Sequence, residues 1–427
     1  MKPIRRAANR VRSESIAIRK HRPDVQIMLY MSLLMLLGLV VMFAIGSQRA
    51  NVLNAAFGTD YSSTYFFGKQ FVSIVVAVVA FCFMALVPYE YILKHQRLML
   101  FVGIGACVLL AFASMIGWGI AQHSYGATRW FNLGPLGGLQ PSEILKFGVL
   151  IYSAIFLGSK MRDGTVNDWR ETLVPLGIVM AVSQFLIIVV QRDLGTGISL
   201  LSIVLAMLFV AGLSRRLLAI VVGCLVLVGT FLVISAPHRL DRVATFLRGD
   251  TTSTSDASSY HIEHAKIAIG TGGLLGVGIG NSVQATGYLP EAINDSVFAI
   301  MGETFGFLGL VATIALFVAL LMRLLKVMDH LVDYRLKLIT AGVFGWFGVH
   351  VVLNIGAMIG LIPLTGITLP LLSFGGTSML FIAAALGLVF QLSRYTVHGS
   401  NLKEVNYENS RSGRGLGRPR HTSRRSA

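Results

Sequence analysis

VQIMLYMSLLMLLGLVVMFAIG, Val25–Gly46, is a run of 22 residues without a single charge. Wound as a helix at about 1.5 Å per residue it spans the ~30 Å hydrocarbon core of a bilayer. It is too long for the apolar core of a cleavable signal peptide, which runs to roughly 15 residues. Comparable runs begin near residues 70, 98, 142, 172, 195, 215, 296, 336 and 377. The pattern predicts an all-α integral membrane protein with about ten transmembrane helices. Composition agrees: 54% of the 427 residues are hydrophobic and 13% charged, against roughly 25% charged in soluble domains.

The formal net charge of +16 sits largely in the tails, with eight Lys/Arg before residue 25 and eight more from Arg394 to Arg425. A soluble basic domain would point to nucleic acid, but no folded module accompanies these tails, and that partner is excluded. Basic residues beside membrane spans instead mark the cytoplasmic side and attract anionic headgroups. Lys94 and Arg97, Lys160, Arg162 and Arg170, Arg215 and Arg216, and Arg323 to Lys337 fall in alternate loops. Both termini are therefore expected in the cytoplasm. Residues 1–24 form a basic tail, 25–395 the membrane domain, and 396–427 a basic tail too polar to fold. Cys82, Cys107 and Cys224 lie in apolar runs without metal spacing and are expected to be buried, inert thiols.

Two segments on the opposite side, 119–141 and 236–295, are too long to be turns. Within the second, Asp250–Ser259 is polar enough to be mobile, whereas 262–280 is apolar and Gly-rich, as expected of a short helix or re-entrant piece against the bundle.

Polar groups at membrane depth are functional candidates. Arg129 and Trp130, in Gly126-Ala-Thr-Arg-Trp, can clamp a phosphate and cover a sugar or isoprenoid, or simply anchor the interface. Glu143 and Lys146, in Gln140-Pro-Ser-Glu-Ile-Leu-Lys, share a helix face at i, i+3 and can neutralise each other, whether as a structural pair or facing substrate. Asp193, in Gln191-Arg-Asp-Leu-Gly-Thr, reads as part of an Arg–Asp pair capping helix ends. Leu289-Pro-Glu291-Ala-Ile-Asn-Asp295 abuts a span. There Asp295 is either a helix N-cap or a carboxylate able to act as general base. Glu303, two turns on, needs a partner, with Lys146 and His350 as candidates. Gly360–Ser378, which contains Thr365 and Ser373, is an uncharged Pro/Gly-rich connection, either a packed re-entrant turn or a cavity lining. There is no Walker A sequence, His-Glu-x-x-His or Gly-x-Ser-x-Gly elbow.

In order, these clusters and Gly272-Gly-Leu-Leu-Gly-Val-Gly278 resemble the SEDS family of polytopic membrane proteins, typified by FtsW and RodA, over about residues 25–395. The wording of 280–298 and 365–370 is more similar to the division members (FtsW) than to the elongation members (RodA). The resemblance implies a peptidoglycan glycosyltransferase that polymerises lipid II on the outer face of the bacterial cytoplasmic membrane, at the division septum. Asp295 matches its catalytic aspartate and undecaprenyl pyrophosphate is the leaving group. Arg129, Trp130, Glu143, Lys146, Asp193, Glu291, Thr365 and Ser373 are implied as substrate-binding. A divalent cation, Mg or Mn, is expected to help neutralise the pyrophosphate, with no organic cofactor. Implied partners are a class B penicillin-binding protein and other divisome proteins. The chain departs from the family pattern at Ile293-Asn294 (usually His-Thr), at Ala285 or Thr286 (often Lys), at Arg192, Thr304 and Phe374, and at His261 and His264 (usually Gln). A lipid II flippase and a non-catalytic division scaffold are the alternatives.

Overall fold

The computed structural model describes residues 21–124, 127–132, 134, 137–234, 240, 243 and 257–397. The expectations for both tails, Gly126 and most of the polar run at 250–259 fall largely outside those residues.

Twelve α-helices order the described chain: α1 (Val25–Phe57), α2 (Tyr65–Leu86), the short α3 (Tyr89–Lys94), α4 (Gln96–Met115), α5 (Pro141–Asp163), α6 (Val174–Gln184), α7 (Leu194–Val210), α8 (Arg215–Ile234), α9 (Ala257–Thr271), α10 (Val297–His330), α11 (Tyr334–Met358) and α12 (Gly376–Leu392). Each of the ten expected spans is helical. Among the described residues eight helices are long and apolar enough to cross a bilayer, while α7, equally apolar, has only 17 residues. The α6 span is flanked by π-helical turns at Trp169–Leu173 and Phe185–Val190.

Local signals explain the helix ends. Asp24 caps α1 by accepting from the Gln26 amide at 3.1 Å. Pro141 opens α5, Lys160 and Arg162 occupy its last turn, and Gly164 ends it with φ 72°. Helices approach closely where a side chain is missing. A Cβ on Gly103 of α4 would lie 2.6 Å from the Leu145 Cα of α5, and one on Gly148 of α5 would lie 2.7 Å from the Met99 carbonyl oxygen of α4. Small residues at such crossings give membrane helices their packing contacts. Large apolar side chains such as Phe71, Val79 and Phe83 on α2 and Phe101 and Phe112 on α4 point outward, as they do where lipid covers the surface. Cys82 and Cys224 are also exposed, so only Cys107 meets the expectation of burial.

The segment 119–141 holds a three-stranded antiparallel sheet, β1 (Ala121–Ser124), β2 (Ala127–Asn132) and β3 (Gly138–Leu139), in the order β1-β2-β3. Its short strands gave no alternating apolar signal long enough to predict them. The helix α9 packs on α10, as expected for 262–280, and begins at Ala257, so the last three residues of the polar run are helical rather than mobile.

The axis of α10 breaks at Gly306 (φ 67°, ψ −169°). The break releases backbone groups that the Gly-rich connection after α9 takes up. Val277 and Gly278 amides donate to the Glu303 and Thr304 carbonyls at 2.9 and 3.1 Å, and Phe307 and Leu308 amides donate to Gly273 and Leu274 carbonyls at 2.8 and 3.2 Å. Buried backbone polar groups require such partners. The first nine residues of α10, Val297–Phe305, are thereby a separate half-helix, with Asp295 just ahead of it.

Candidate active site

The ends of α5, α7, α10, α11 and α12 beside the signature clusters lie at one end of the bundle, and hydrogen bonds tie the clusters to one another. On β2, Arg129 donates through Nη2 to the Arg192 carbonyl at 2.7 Å and through Nε to the Gln191 carbonyl at 3.3 Å. Its neighbour Trp130 lies against Gly138, where an added Cβ would be 3.2 Å from the indole. Asp193 caps α7, the capping half of the expected Arg–Asp pair. Its carboxylate accepts from the Thr196 amide (2.9 Å), the Thr196 hydroxyl (2.8 Å) and Gln140 Nε2 (3.0 Å). Gly195 next to it packs on Thr365 and Ile367, leaving no room for a Cβ, which would fall 2.8 Å from the Ile367 side chain. Beside this turn, Ser114, Met115, Thr128, Val190 and Arg192 line a cleft of about 300 Å³.

Asp295 is not the N-cap of α10. That position belongs to Ser296, and Asp295 precedes it. Its half-buried side chain lies beside the turn at Gly366, whose added Cβ would be 3.9 Å from Oδ2. Its backbone is held tightly. Asn354 of α11, which is buried, donates through Nδ2 to the Asp295 carbonyl and the Ile367 carbonyl, both at 2.7 Å. The Phe374 amide donates to the Ile293 carbonyl at 2.8 Å. The loop 289–296 and the connection 365–374 therefore form one body. Glu291 sits at φ 49°, an uncommon region for a residue with a Cβ. Its carboxylate accepts from Asn294 Nδ2 at 2.5 Å, and its carbonyl from the Asn294 and Ser296 amides. Thr365 is half-buried at the same rim. Ser373 is buried, and its hydroxyl oxygen accepts from the Leu369 amide at 2.8 Å, so it shapes the connection.

Deeper in the bundle, Lys146 Nζ is 2.7 Å from Glu143 Oε1 and 4.7 Å from the centre of the Trp346 ring, with both charged side chains enclosed. The predicted i, i+3 pair thus forms. His350 shares a 2.9 Å hydrogen bond with Ser199. Neither Lys146 nor His350 is the partner of Glu303. The turn after Gly280 supplies it instead: Ser282 Oγ at 2.5 Å, Val283 N at 2.9 Å and Gln284 N at 3.2 Å from the carboxylate. An expectation built on charge pairing missed it because neutral donors, two of them backbone amides, stabilise a carboxylate as well as a cation does.

The sequence pattern of the FtsW/RodA/SpoVE family of cell cycle proteins matches residues 24–398. The chain belongs to that family. Stage V sporulation protein E of Bacillus subtilis is 32% identical over 381 residues, covering 88% of this chain and 99% of that protein. The probable peptidoglycan glycosyltransferase FtsW of Nitrosomonas europaea is 32% identical over 378 residues, covering 87% and 93%. The fold is shared with Thermus thermophilus rod shape determining protein RodA at a TM-score of 0.61 and 24% identity, over 88% of this chain and 98% of that one. A chain of a peptidoglycan synthase complex, solved to describe coordination of polymerization and crosslinking, gives 0.66 and 24%, over 87% and 98%.

Against this FtsW/RodA/SpoVE frame, the departures beside Asp295 have local explanations. Ile293 is buried in the core while its carbonyl anchors Phe374, and Asn294 is turned onto Glu291. Phe374 packs edge-to-face on Phe66 with ring centres 5.5 Å apart. The residues that sequence reasoning passed over are Asn354, Gln140 and Ser296. A lone Asn deep in an apolar span was the available signal for Asn354.

Proposed function

We propose that this chain is a peptidoglycan glycosyltransferase that polymerises lipid II at the outer face of the bacterial cytoplasmic membrane during division. The observation that carries the reading is Asp295. Its carboxylate stands at the head of a half-helix, where the rim loops with Arg129, Asp193, Glu291 and Thr365 converge, and its backbone is gripped by Asn354. The names of the curated relatives supply the reaction class.

In this reading the Asp295 carboxylate takes the proton of the acceptor's GlcNAc 4-hydroxyl as general base. The freed oxygen attacks the anomeric carbon of the lipid-linked donor. The new glycosidic bond forms as the bond from that carbon to the pyrophosphate oxygen breaks, and undecaprenyl pyrophosphate departs. Arg129 supplies positive charge toward the leaving group, where negative charge accumulates, and Trp130 and Thr365 bound the same rim. Among the described residues no three His, Cys, Asp or Glu side chains are grouped to hold a metal. A Mg or Mn ion would then arrive on the pyrophosphate rather than in a protein cage.

Both tails are cytoplasmic in this orientation, since the opposite end of the bundle carries the basic loops, and a class B penicillin-binding protein cross-links the strands. The transport alternative rested on Glu143, Lys146, Glu303 and His350 as a polar lining. Each of these is engaged by a neighbour within the fold, which favours the enzyme. The test is lipid II polymerisation by the full chain with its penicillin-binding partner, wild type against Asp295→Asn. Polymer from the wild type alone is expected. Equal polymer from both removes Asp295 from the reaction, and none from either with Mg²⁺ and Mn²⁺ present removes the activity.

A further inference from the structure

The loop that bears Asp295 is gripped from two sides, and Asn354 holds one of them. On the other side stands His261 of α9, buried against the loop, with Nε2 2.5 Å from Ser296 Oγ. The same Ser296 hydroxyl donates to the Pro290 carbonyl at 2.8 Å. A hydroxyl has one proton. With that proton on Pro290, the Ser296 oxygen accepts, and the His261 ring donates from Nε2. This tautomer follows from the hydrogen-bond network. Pro290 and Ser296 bracket the loop that bears Asp295, and the Ser296 amide closes it by donating to the Glu291 carbonyl at 3.2 Å.

The helix α9 that carries His261 is itself fixed near this loop. One turn along, His264 Nδ1 is 2.8 Å from Gln284 Oε1, and the Gln284 amide lies on the Glu303 carboxylate at 3.2 Å. Two consecutive residues, Asp295 and Ser296, are thus held by side chains from two different helices, Asn354 of α11 and His261 of α9. A carboxylate that must meet a hydroxyl at hydrogen-bond distance needs this two-sided restraint, since a misplacement of about 1 Å costs on the order of 100-fold in rate.

We propose that His261 is a positioning residue for Asp295. By donating to Ser296 it locks the Pro290–Ser296 loop and so sets the direction of the Asp295 carboxylate. The role rests on Asp295 being the general base. A glutamine amide reaches about as far as the imidazole Nε2 and donates in the same way, so the role is for a donor at that point rather than for imidazole chemistry.

The test uses the full chain in lipid nanodiscs with its penicillin-binding partner, following lipid II polymerisation by His261→Ala, His261→Gln, Ser296→Ala, the double variant His261→Ala/Ser296→Ala, and Asp295→Asn. His261→Ala is expected to lower kcat roughly 10- to 100-fold with KM for lipid II within about twofold of wild type. His261→Gln should recover most of the loss, and the double variant should be no worse than the poorer single one. Wild-type kcat in His261→Ala, a His261→Gln variant as poor as His261→Ala, or additive losses overturn the proposal. If His261→Ala does not insert, Ser296→Ala removes the same bond from the other side, and a wild-type kcat there overturns it equally. Asp295→Asn separates the two readings. An active Asp295→Asn removes the base and the positioning role together, whereas an inactive Asp295→Asn beside an unaffected His261→Ala removes only the latter.

Discussion

Asn354 and Asp295 are 59 residues apart in sequence, yet one amide nitrogen of Asn354 reaches both the Asp295 carbonyl and the Ile367 carbonyl at 2.7 Å. A single buried side chain thereby fastens the loop before α10 to the connection before α12. No charge is involved, and the bond goes to the backbone, so it holds the position of Asp295 without touching its carboxylate.

Replacing Asn354 by Leu leaves two buried carbonyls without this donor. Each orphaned acceptor costs about 1–3 kcal/mol. The expected result is a destabilisation of about 2–6 kcal/mol with a large loss of polymerisation, since the loop bearing Asp295 is freed. Asn354→Asp should be no better, because an ionised carboxylate cannot donate. Thermal unfolding in detergent, with polymerisation assayed well below the transition, checks both. Normal activity in Asn354→Leu would show that the clamp is dispensable.

The pair Glu143–Lys146 calls for a different experiment. Removing one member of an enclosed ion pair strands the other, typically at about 3–5 kcal/mol, whereas replacing both with apolar residues of similar size is often neutral. Glu143→Leu and Lys146→Met alone should each lower the unfolding temperature steeply. The double variant should recover most of the loss. If the double variant is as unstable as the worse single one, the pair is not an isolated unit and its charges serve other partners.

The helices at the ten expected positions, eight of them long and apolar enough to span among the described residues, were legible because a bilayer imposes a length and an absence of charge that survive any detail of packing. The Glu143–Lys146 contact was legible for a similar reason, since helical spacing alone brings i and i+3 together. What escaped depended on chain-distant backbone groups. Glu303 was matched to the wrong partners because its real ones, the Ser282 hydroxyl and the amides of Val283 and Gln284, leave no signature in residue type. Of the two readings open for Asp295, the N-cap one fails because the helix starts one residue later and Ser296 takes the position. The β-sheet was missed because strands of two to six residues carry too little periodicity to stand out from a loop.

Gly272 and Gly270 offer a matched comparison on the segment that braces the break in α10. A Cβ on Gly272 would lie 1.9 Å from the Gly302 carbonyl oxygen, while one on Gly270 would meet nothing within 4 Å. Gly272→Ala must push α9 off the half-helix and is expected to cost at least the upper range of overpacking, about 3 kcal/mol. Gly270→Ala, within the helix, is expected to be neutral or stabilising by up to about 1 kcal/mol. Expression level and unfolding temperature of the two variants, measured side by side, decide the matter. Equal behaviour would mean that the close approach of 272 to 302 is not maintained.

The end of the bundle remote from Asp295 carries a pH-dependent element. Asp333 caps α11 through the Arg335 amide at 2.8 Å and is bound by the Arg335 guanidinium at 2.7 Å. Burial by itself raises the Asp333 pKa, but the hydrogen bonds from the Arg335 side chain and amide, with the charge of that guanidinium, outweigh burial and hold it below the ordinary carboxylate value. A carboxylate with a depressed folded-state pKa binds its proton more weakly folded than unfolded. Its contribution is therefore fully present above the unfolded value of about 3.9 and is lost as pH falls through the lower folded value. Wild-type protein should gain stability relative to Asp333→Asn as pH rises through about 4, and the two should converge at lower pH, where wild-type Asp333 is also uncharged. Unfolding temperatures of both proteins from pH 3 to pH 7 test this. A constant difference across that range would mean that the cap acts through its hydrogen bonds alone, independent of its charge.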